Sequence, residues 1–222
     1  MTFQIFQALN PDEVARLIAV CARMAFTDGK ASATGAARAV KHNLQSEAAG
    51  PEPDEARRVV LAALGRSTEF QNFAFPNRIV IPTFARYTPG MEYGWHLDNA
   101  IAGAGAPLRS DLACTVFLSE PDTYDGGELV LQLASGEQEI KLSAGEAVVY
   151  PATTIHRVAH VTRGVRLVAI TWIQSVVRDE RVRSILQDLM RAHRIAEQRG
   201  ESETAMLINK SYQNLLRCAA EL

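Results

Sequence analysis

Between residues 76 and 173 the chain breaks into short apolar runs, each closed by turn-forming residues. The runs cover 78–85, 114–118, 127–133, 139–142, 147–150, 156–161 and 165–173. Between them stand Pro89-Gly90, Asp125-Gly126-Gly127, Ser135-Gly136, Ala144-Gly145 and Arg163-Gly164. Segments this short, punctuated this often, read as strands, and strands at this spacing suggest a β-sandwich or double-sheet jelly roll.

The flanks follow a different period. Asn10 is placed to cap a helix, Pro11 suits its first position, and Asp12 and Glu13 favour the positive end of its dipole. Val14, Leu17, Ile18 and Cys21 then recur at helical spacing. Residues 27–50 read as loop or weak strand, and Pro53 and Asp54 open a second helix with Val59, Val60, Ala63 and Leu64 on one face. From Asp179 the helical period returns, with Ile185, Leu189 and His193 on one stripe, Ile208, Tyr212 and Leu215 on a later one, and Gly200 as the stop between them. The expected fold is mainly β with flanking helices: a jelly-roll core at residues 76–178 within a domain spanning 1–178, and a C-terminal helical extension over 179–222. Two tail helices of this length are not stable alone and should pack on the barrel or on a second subunit, with a homodimer the favoured arrangement.

Composition sets the outer bounds. Of 222 residues, 47% are hydrophobic, enough for a packed core. The net charge of −2 lacks the basic surplus of a general nucleic-acid binder. Cys21, Cys114 and Cys218 are few and scattered, which fits neither a disulfide framework nor a thiolate zinc site and favours a reducing compartment. No signal peptide and no membrane-length apolar run is visible, so the expectation is a soluble cytoplasmic protein with no nucleic-acid or membrane partner.

His96, Leu97 and Asp98 place an imidazole and a carboxylate two residues apart, on one face if the segment is a strand. A third donor must come from another strand, and His156 lies on one downstream. Two His and one carboxylate make a facial triad that leaves three positions of an octahedral iron open, as a co-substrate and dioxygen require. Catalytic zinc accepts such ligands too, with fewer vacancies. Arg166 follows His156 by ten residues across the turn at Thr162, Arg163 and Gly164. If that turn closes a hairpin with a three-residue loop, Arg166 shares the face of His156, and its guanidinium is suited to grip a carboxylate bidentately. With a two-residue loop it faces away.

The segment from Tyr87 through Gly90, Tyr93 and His96 to Asp98 has the spacing Y-x-x-G-x-x-Y-x-x-H-x-D. It resembles that of prolyl 4-hydroxylase-like, iron(II)- and 2-oxoglutarate-dependent dioxygenases. Three later pieces also match: Tyr124 to Leu129 (YDGGEL), Ala144 to Pro151, and Ile155 to Val158 continuing through Arg163 to Arg166. With Ile173-Gln174-Ser175 and the helical tail, the whole chain resembles the bacterial PKHD-type hydroxylases. The resemblance implies a double-stranded β-helix with iron at its mouth, held by His96, Asp98 and His156. It implies Arg166 as the partner of the distal carboxylate of 2-oxoglutarate and Tyr87 as a hydrogen-bonding wall of that pocket. It implies O2 as the second co-substrate, ascorbate (vitamin C) as a reductant, and release of succinate and carbon dioxide. Related animal enzymes often carry a Tyr on the strand after the H-x-D loop, where this chain has Phe117, so that hydroxyl is absent or supplied elsewhere. Asp98 is intact, and halogenation, which needs its absence, is not expected.

The resemblance further implies hydroxylation of a small-molecule, amino-acid-like or peptidyl substrate, in a role linked to iron homeostasis. Oxidative demethylation and a non-catalytic iron and 2-oxoglutarate sensor are the competing readings. The small-residue stretch 99–107 is a candidate lid, against the plainer reading of a surface loop. His42 and His160 are expected to lie off the metal and His193 to be a packed or interfacial residue. Trp95 has the opposite parity to His96 and should face away from it.

Overall fold

The computed structural model describes residues 3–103 and 106–221. Its strands are β1 (Gln4–Gln7), β2 (Phe26–Asp28), β3 (Lys41–His42), β4 (Leu44–Ser46), β5 (Pro76–Ile79), β6 (Thr83–Tyr87), β7 (Glu92–His96), β8 (Ile101–Ala102), β9 (Leu108–Arg109), β10 (Leu112–Phe117), β11 (Leu129–Leu133), β12 (Gly136–Ile140), β13 (Glu146–Pro151), β14 (His156–Val158) and β15 (Arg166–Ser175). Its helices are α1 (Pro11–Arg23), α2 (Gly35–Ala39), α3 (Pro51–Arg66), α4 (Thr68–Ala74), α5 (Glu180–Gln198) and α6 (Ser202–Ala219).

The expected mainly-β core with flanking helices is present. An eight-stranded sheet in the order β1-β13-β10-β15-β6-β4-β2, with β5 also on β15, faces a five-stranded sheet in the order β12-β11-β14-β7-β3. All ladders are antiparallel. The N-terminal half contributes more strand than its helical texture suggests: β1, β2 and β4 extend the large sheet and β3 the small one. These strands have two to four residues, too short to show a period of two.

Alternation along the large sheet divides the interior in two. On β10, Leu112, Cys114 and Val116 pack outward against α1, α3 and α4, while Ala113 and Phe117 point into the space between the sheets. Every residue of β10 is therefore buried. On β15 the odd positions Leu167, Ala169 and Ile173 join the helix-side core, and Val168, Ile170 and Trp172 join the inter-sheet core. Arg166 has the inward parity.

Helix α1 starts as expected, with Asn10 and Glu13 forming a reciprocal capping box. Helix α3 begins two residues before Pro53, at Pro51. Both prolines sit in the first turn, where their missing N–H groups have no intrahelical role. Helices α5 and α6 form a hairpin around Gly200, which takes φ +72°. They pack on Phe75, Val176 and Val177 through Leu186, Met190, Tyr212 and Leu215. The buried stripe of α5 differs from the expected one, and Ile185 is 49% exposed. Arg183 sets the rotation, because its guanidinium is buried and donates to the carbonyls of Val177 and Arg178. His193 ties the hairpin by donating from Nδ1 to the Ala205 carbonyl.

The Asp125-Gly126-Gly127 turn shows why glycine is required twice. Both residues have positive φ, +74° and +69°. A Cβ on Gly126 would sit 1.9 Å from the His160 carbonyl oxygen, and one on Gly127 would sit 2.9 Å from Cδ of Arg166. Gly126→Ala therefore combines left-handed strain with a backbone clash. It should lower stability by about 3 kcal/mol or more, read as a fall in the urea midpoint at unchanged slope.

Candidate active site

His96 is the last residue of β7, and His156, the first of β14, is its cross-strand partner. Their rings lie 4.2 Å apart between centroids. Asp98 is not on the strand, contrary to the reading that put both donors of the H-x-D pair on one strand face. β14 begins at His156, so β7 has no partner beyond His96, and the following loop carries Asp98 back over the pair. One ligand atom from each of His96, Asp98 and His156 lies within 4.8 Å of the others. His156 Nε2 is 4.0 Å from Asp98 Oδ2.

The two imidazoles are held in one tautomer. His96 Nδ1 donates to the Gly94 carbonyl at 2.8 Å, and His156 Nδ1 donates to the Thr154 carbonyl at 2.9 Å. Each Nε2 is left as a lone-pair donor toward the shared point. The ring of Tyr93 stacks on His96 at 3.5 Å and 12°, and Tyr150 meets His156 edge-on at 5.3 Å. Burial, then the neighbouring His156, pushes the His96 imidazole down to about 3, so it is neutral and able to ligate at neutral pH. In metal-free protein the unfolded chain binds a proton at this residue between pH 6.5 and 3 that the folded chain does not. Its contribution to stability is present above pH 6.5 and is lost as the pH falls. From pH 7 to pH 5 the loss from this group should be about 2 kcal/mol, read from urea midpoints in chelator and absent from His96→Gln.

Arg166 opens β15 opposite Tyr87 on β6. It is 1% exposed, with its guanidinium 5.1 Å from the Tyr87 ring and 5.4 Å from the Phe117 ring. Nε and Nη1 have no hydrogen-bond partner. The Tyr87 hydroxyl accepts from Asn43 Nδ2 at 2.9 Å, and burial raises its pKa above the usual phenol value while Arg166 opposes that rise. The hairpin reading of Arg166 is corrected by the sheet assignment. β14 belongs to the small sheet and β15 to the large one, so the link between them crosses the sandwich. His156 and Arg166 share one interior because both strands turn that side inward.

A cavity of about 680 Å³ joins these groups. Its walls include Tyr87, His96, Asp98, Tyr150, His156 and Arg166, and it opens past Ile81, Leu97 and Ile101. The donor set suits a hard or borderline divalent ion, since two neutral imidazoles and one carboxylate leave coordination positions free. Asp98 Oδ2 is buried without a partner, as expected of a ligand oxygen awaiting a cation. The two unmet N–H groups of Arg166 call for an anion on the same cavity wall.

Some expected candidates lie away from the cavity. His42 and His160 are exposed, and Trp95 is 41% exposed with Arg157 over its ring at 5.1 Å. Residues Ala104 and Gly105 of the candidate lid are outside the described residues. The flanking Ile101–Ala102 and Leu108–Arg109 pair as a short ladder, and Arg78 donates to the Ala106 and Pro107 carbonyls. The sequence reading passed over Lys41 and Asn43, which flank His42 and by strand parity point the other way, into the interior. They are 4% and 4% exposed.

Residues 82–174 match the 2OG-Fe(II) oxygenase superfamily. The solved structures give the same fold. A Pseudomonas putida prolyl-4-hydroxylase aligns with TM-score 0.52 at 22% identity, over 78% of this chain and 92% of that one. A Trichoplax adhaerens prolyl hydroxylase, solved with a hypoxia-inducible-factor peptide fragment, aligns with TM-score 0.56 at 16% identity, over 83% and 86%. The fold is thus that of the 2OG-Fe(II) oxygenases. Full-length relatives narrow this further. The chain is 42% identical to a PKHD-type hydroxylase of Paracoccus denitrificans over 100% of both sequences, and 42% identical to one of Thermosynechococcus vestitus over the same shares. It belongs to the PKHD-type hydroxylases and is a dioxygenase. No helix among the described residues is long and apolar enough to cross a membrane.

Proposed function

We propose that this chain hydroxylates an amino-acid-like or peptidyl substrate, with iron(II) on His96, Asp98 and His156 and the distal carboxylate of 2-oxoglutarate on Arg166. The observation that carries the reading is Arg166 itself. A buried guanidinium with unmet donors costs stability unless an anion completes it. It shares a cavity with three convergent metal donors.

Each side chain has a separable task. His96 and His156 present fixed lone pairs, and Asp98 neutralises part of the metal's charge. Arg166 binds and orients a dicarboxylate, with the Tyr87 hydroxyl as a second polar contact. Apolar walls from Leu129, Val158 and Ile170 keep water from the reacting face. Bound iron and 2-oxoglutarate supply the oxidising power for C–H hydroxylation that side chains lack, with succinate and carbon dioxide as by-products. A cytoplasmic setting and ascorbate as reductant complete the proposal.

Succinate release in air on adding Fe(II) and 2-oxoglutarate separates an enzyme from a sensor. Product mass after incubation with a host extract then decides the reaction. A gain of one oxygen supports hydroxylation, and loss of a methyl group as formaldehyde contradicts it.

A further inference from the structure

Lys41 plays no part in the chemistry above, yet it lines the same cavity and is 4% exposed. Its ammonium makes one hydrogen bond, from Nζ to Ser32 Oγ at 2.7 Å, and lies 5.1 Å from the centre of the Tyr93 ring. No carboxylate is within ion-pairing distance of it among the described residues. An ammonium has three donors, so two remain for something else.

The rest of the lining sharpens the point. Among the described residues the cavity carries Lys41, Arg57, Arg78 and Arg166 against a single carboxylate, Asp98. This is a cationic pocket in a chain whose net charge is −2. Arg57 is committed to the carbonyls of Pro82, Ala48 and Glu47 and to Asp54, and Arg78 to the carbonyls of Ala106 and Pro107. Lys41 and Arg166 are left with unused donors. On the functional reading above, iron(II) offsets Asp98 and one charge of the dicarboxylate, and Arg166 offsets the other. Lys41 then remains as a buried charge with no carboxylate in contact, attracted only at a distance by Asp28 and Asp98, which is costly. Its position is specific as well. Nζ lies beside Tyr93, whose ring stacks on His96, so an anion there is one aromatic ring from the metal donors. The Trp172 indole N–H, on the same cavity, has no protein acceptor.

We infer that the substrate is itself a carboxylate, an amino-acid or peptide derivative whose anion is held by Lys41, with Ser32 orienting the ammonium by accepting one of its hydrogens. This inference rests on the functional reading above and extends it to the class of substrate. Lys41 is a specificity residue: it anchors one end of the substrate so that a neighbouring C–H group lies over the metal.

The test uses full-length protein loaded anaerobically with Fe(II) and 2-oxoglutarate. The visible absorption of that complex reports whether the iron and oxoglutarate sites are formed. Calorimetry then compares N-acetyl amino acids with their uncharged carboxamides. At least one acid should bind about tenfold or more tighter than its amide. Lys41→Met should abolish that preference with the absorption band retained, and Lys41→Arg should restore part of it. Equal binding of acids and amides overturns the inference, as does a preference that survives Lys41→Met. Failure of every acid to bind below about 10 mM overturns it too. Loss of the band in Lys41→Met would assign the lysine to the iron and oxoglutarate assembly and also overturn it. Absence of the band in the unmodified protein would instead defeat the functional reading beneath it.

Discussion

Replacing Asp98 with Ala should eliminate iron binding and turnover together. The carboxylate is the one anionic donor of the three, and its Oδ2 is buried with no hydrogen-bond partner. Loss of a partner that merely orients a ligand costs about 10–100-fold in metal affinity, so loss of a ligand should cost at least about a hundredfold. The same substitution carries a structural signature that separates this role from packing. A buried carboxylate without a partner destabilises the metal-free protein. Asp98→Ala should therefore leave the stability of the chelated protein within about 1 kcal/mol or raise it. The stabilisation that added Fe(II) gives the unmodified protein should vanish. A large fall in metal-free stability would place Asp98 in the scaffold instead.

Arg166→Ala should produce the second large effect, on a different quantity. Charge-assisted, bidentate contacts are worth about 2–4 kcal/mol, so the 2-oxoglutarate needed for half-saturation should rise by about 30- to 1,000-fold. Metal affinity should change little, because the guanidinium is not a donor. Arg166→Lys should recover only part of the loss, since an ammonium is a point charge and cannot match a carboxylate with two parallel N–H groups. The flanking rings of Tyr87 and Phe117 also suit a planar cation better than a round one. An unchanged oxoglutarate requirement in Arg166→Ala would remove the anion role assigned to this residue.

The strand-rich core and the clustering of His96, Asp98 and His156 are legible because their signals are local. Most strands of the 108–175 region are short apolar runs closed by their own turn residues. The H-x-D pair and His156 carry the resemblance to known oxygenases. What failed was the route by which distant residues meet. Counting residues along a hairpin puts Arg166 on the face of His156 only if β14 and β15 pair. They lie in facing sheets, and no local pattern records a strand's change of sheet. The same limit applies to Asp98, whose position depends on where β14 stops offering a partner to β7. Lys41 and Asn43 carry no sequence signal of burial, because a two-residue strand is too short to show which side is inward. On α5 the stripe was misjudged because a buried Arg183 sets its rotation, and a charged residue scores as outward in any apolar count.

Phe117 contributes a ring and no hydroxyl to the wall beside the guanidinium. Its ring is fully buried against Arg166. Tyr124, from the YDGGEL segment, is also buried, and its hydroxyl feels the Arg166 charge. Gly127 keeps both close, because any side chain there would press on Arg166 Cδ and on Tyr124 Cε2. The motif thus shapes the floor beneath the guanidinium.

Three side chains, from β7, the loop after it and β14, lie together beside a cavity where they would hold one ferrous ion next to a keto acid. Anaerobic titration of Fe(II) into the protein with 2-oxoglutarate, followed by visible absorption, tests this most directly. The expected result is a charge-transfer band that requires both additions, saturates at one iron per chain, and is missing from Asp98→Ala and His156→Ala. A titration without the band, or a band that persists in those variants, would contradict it.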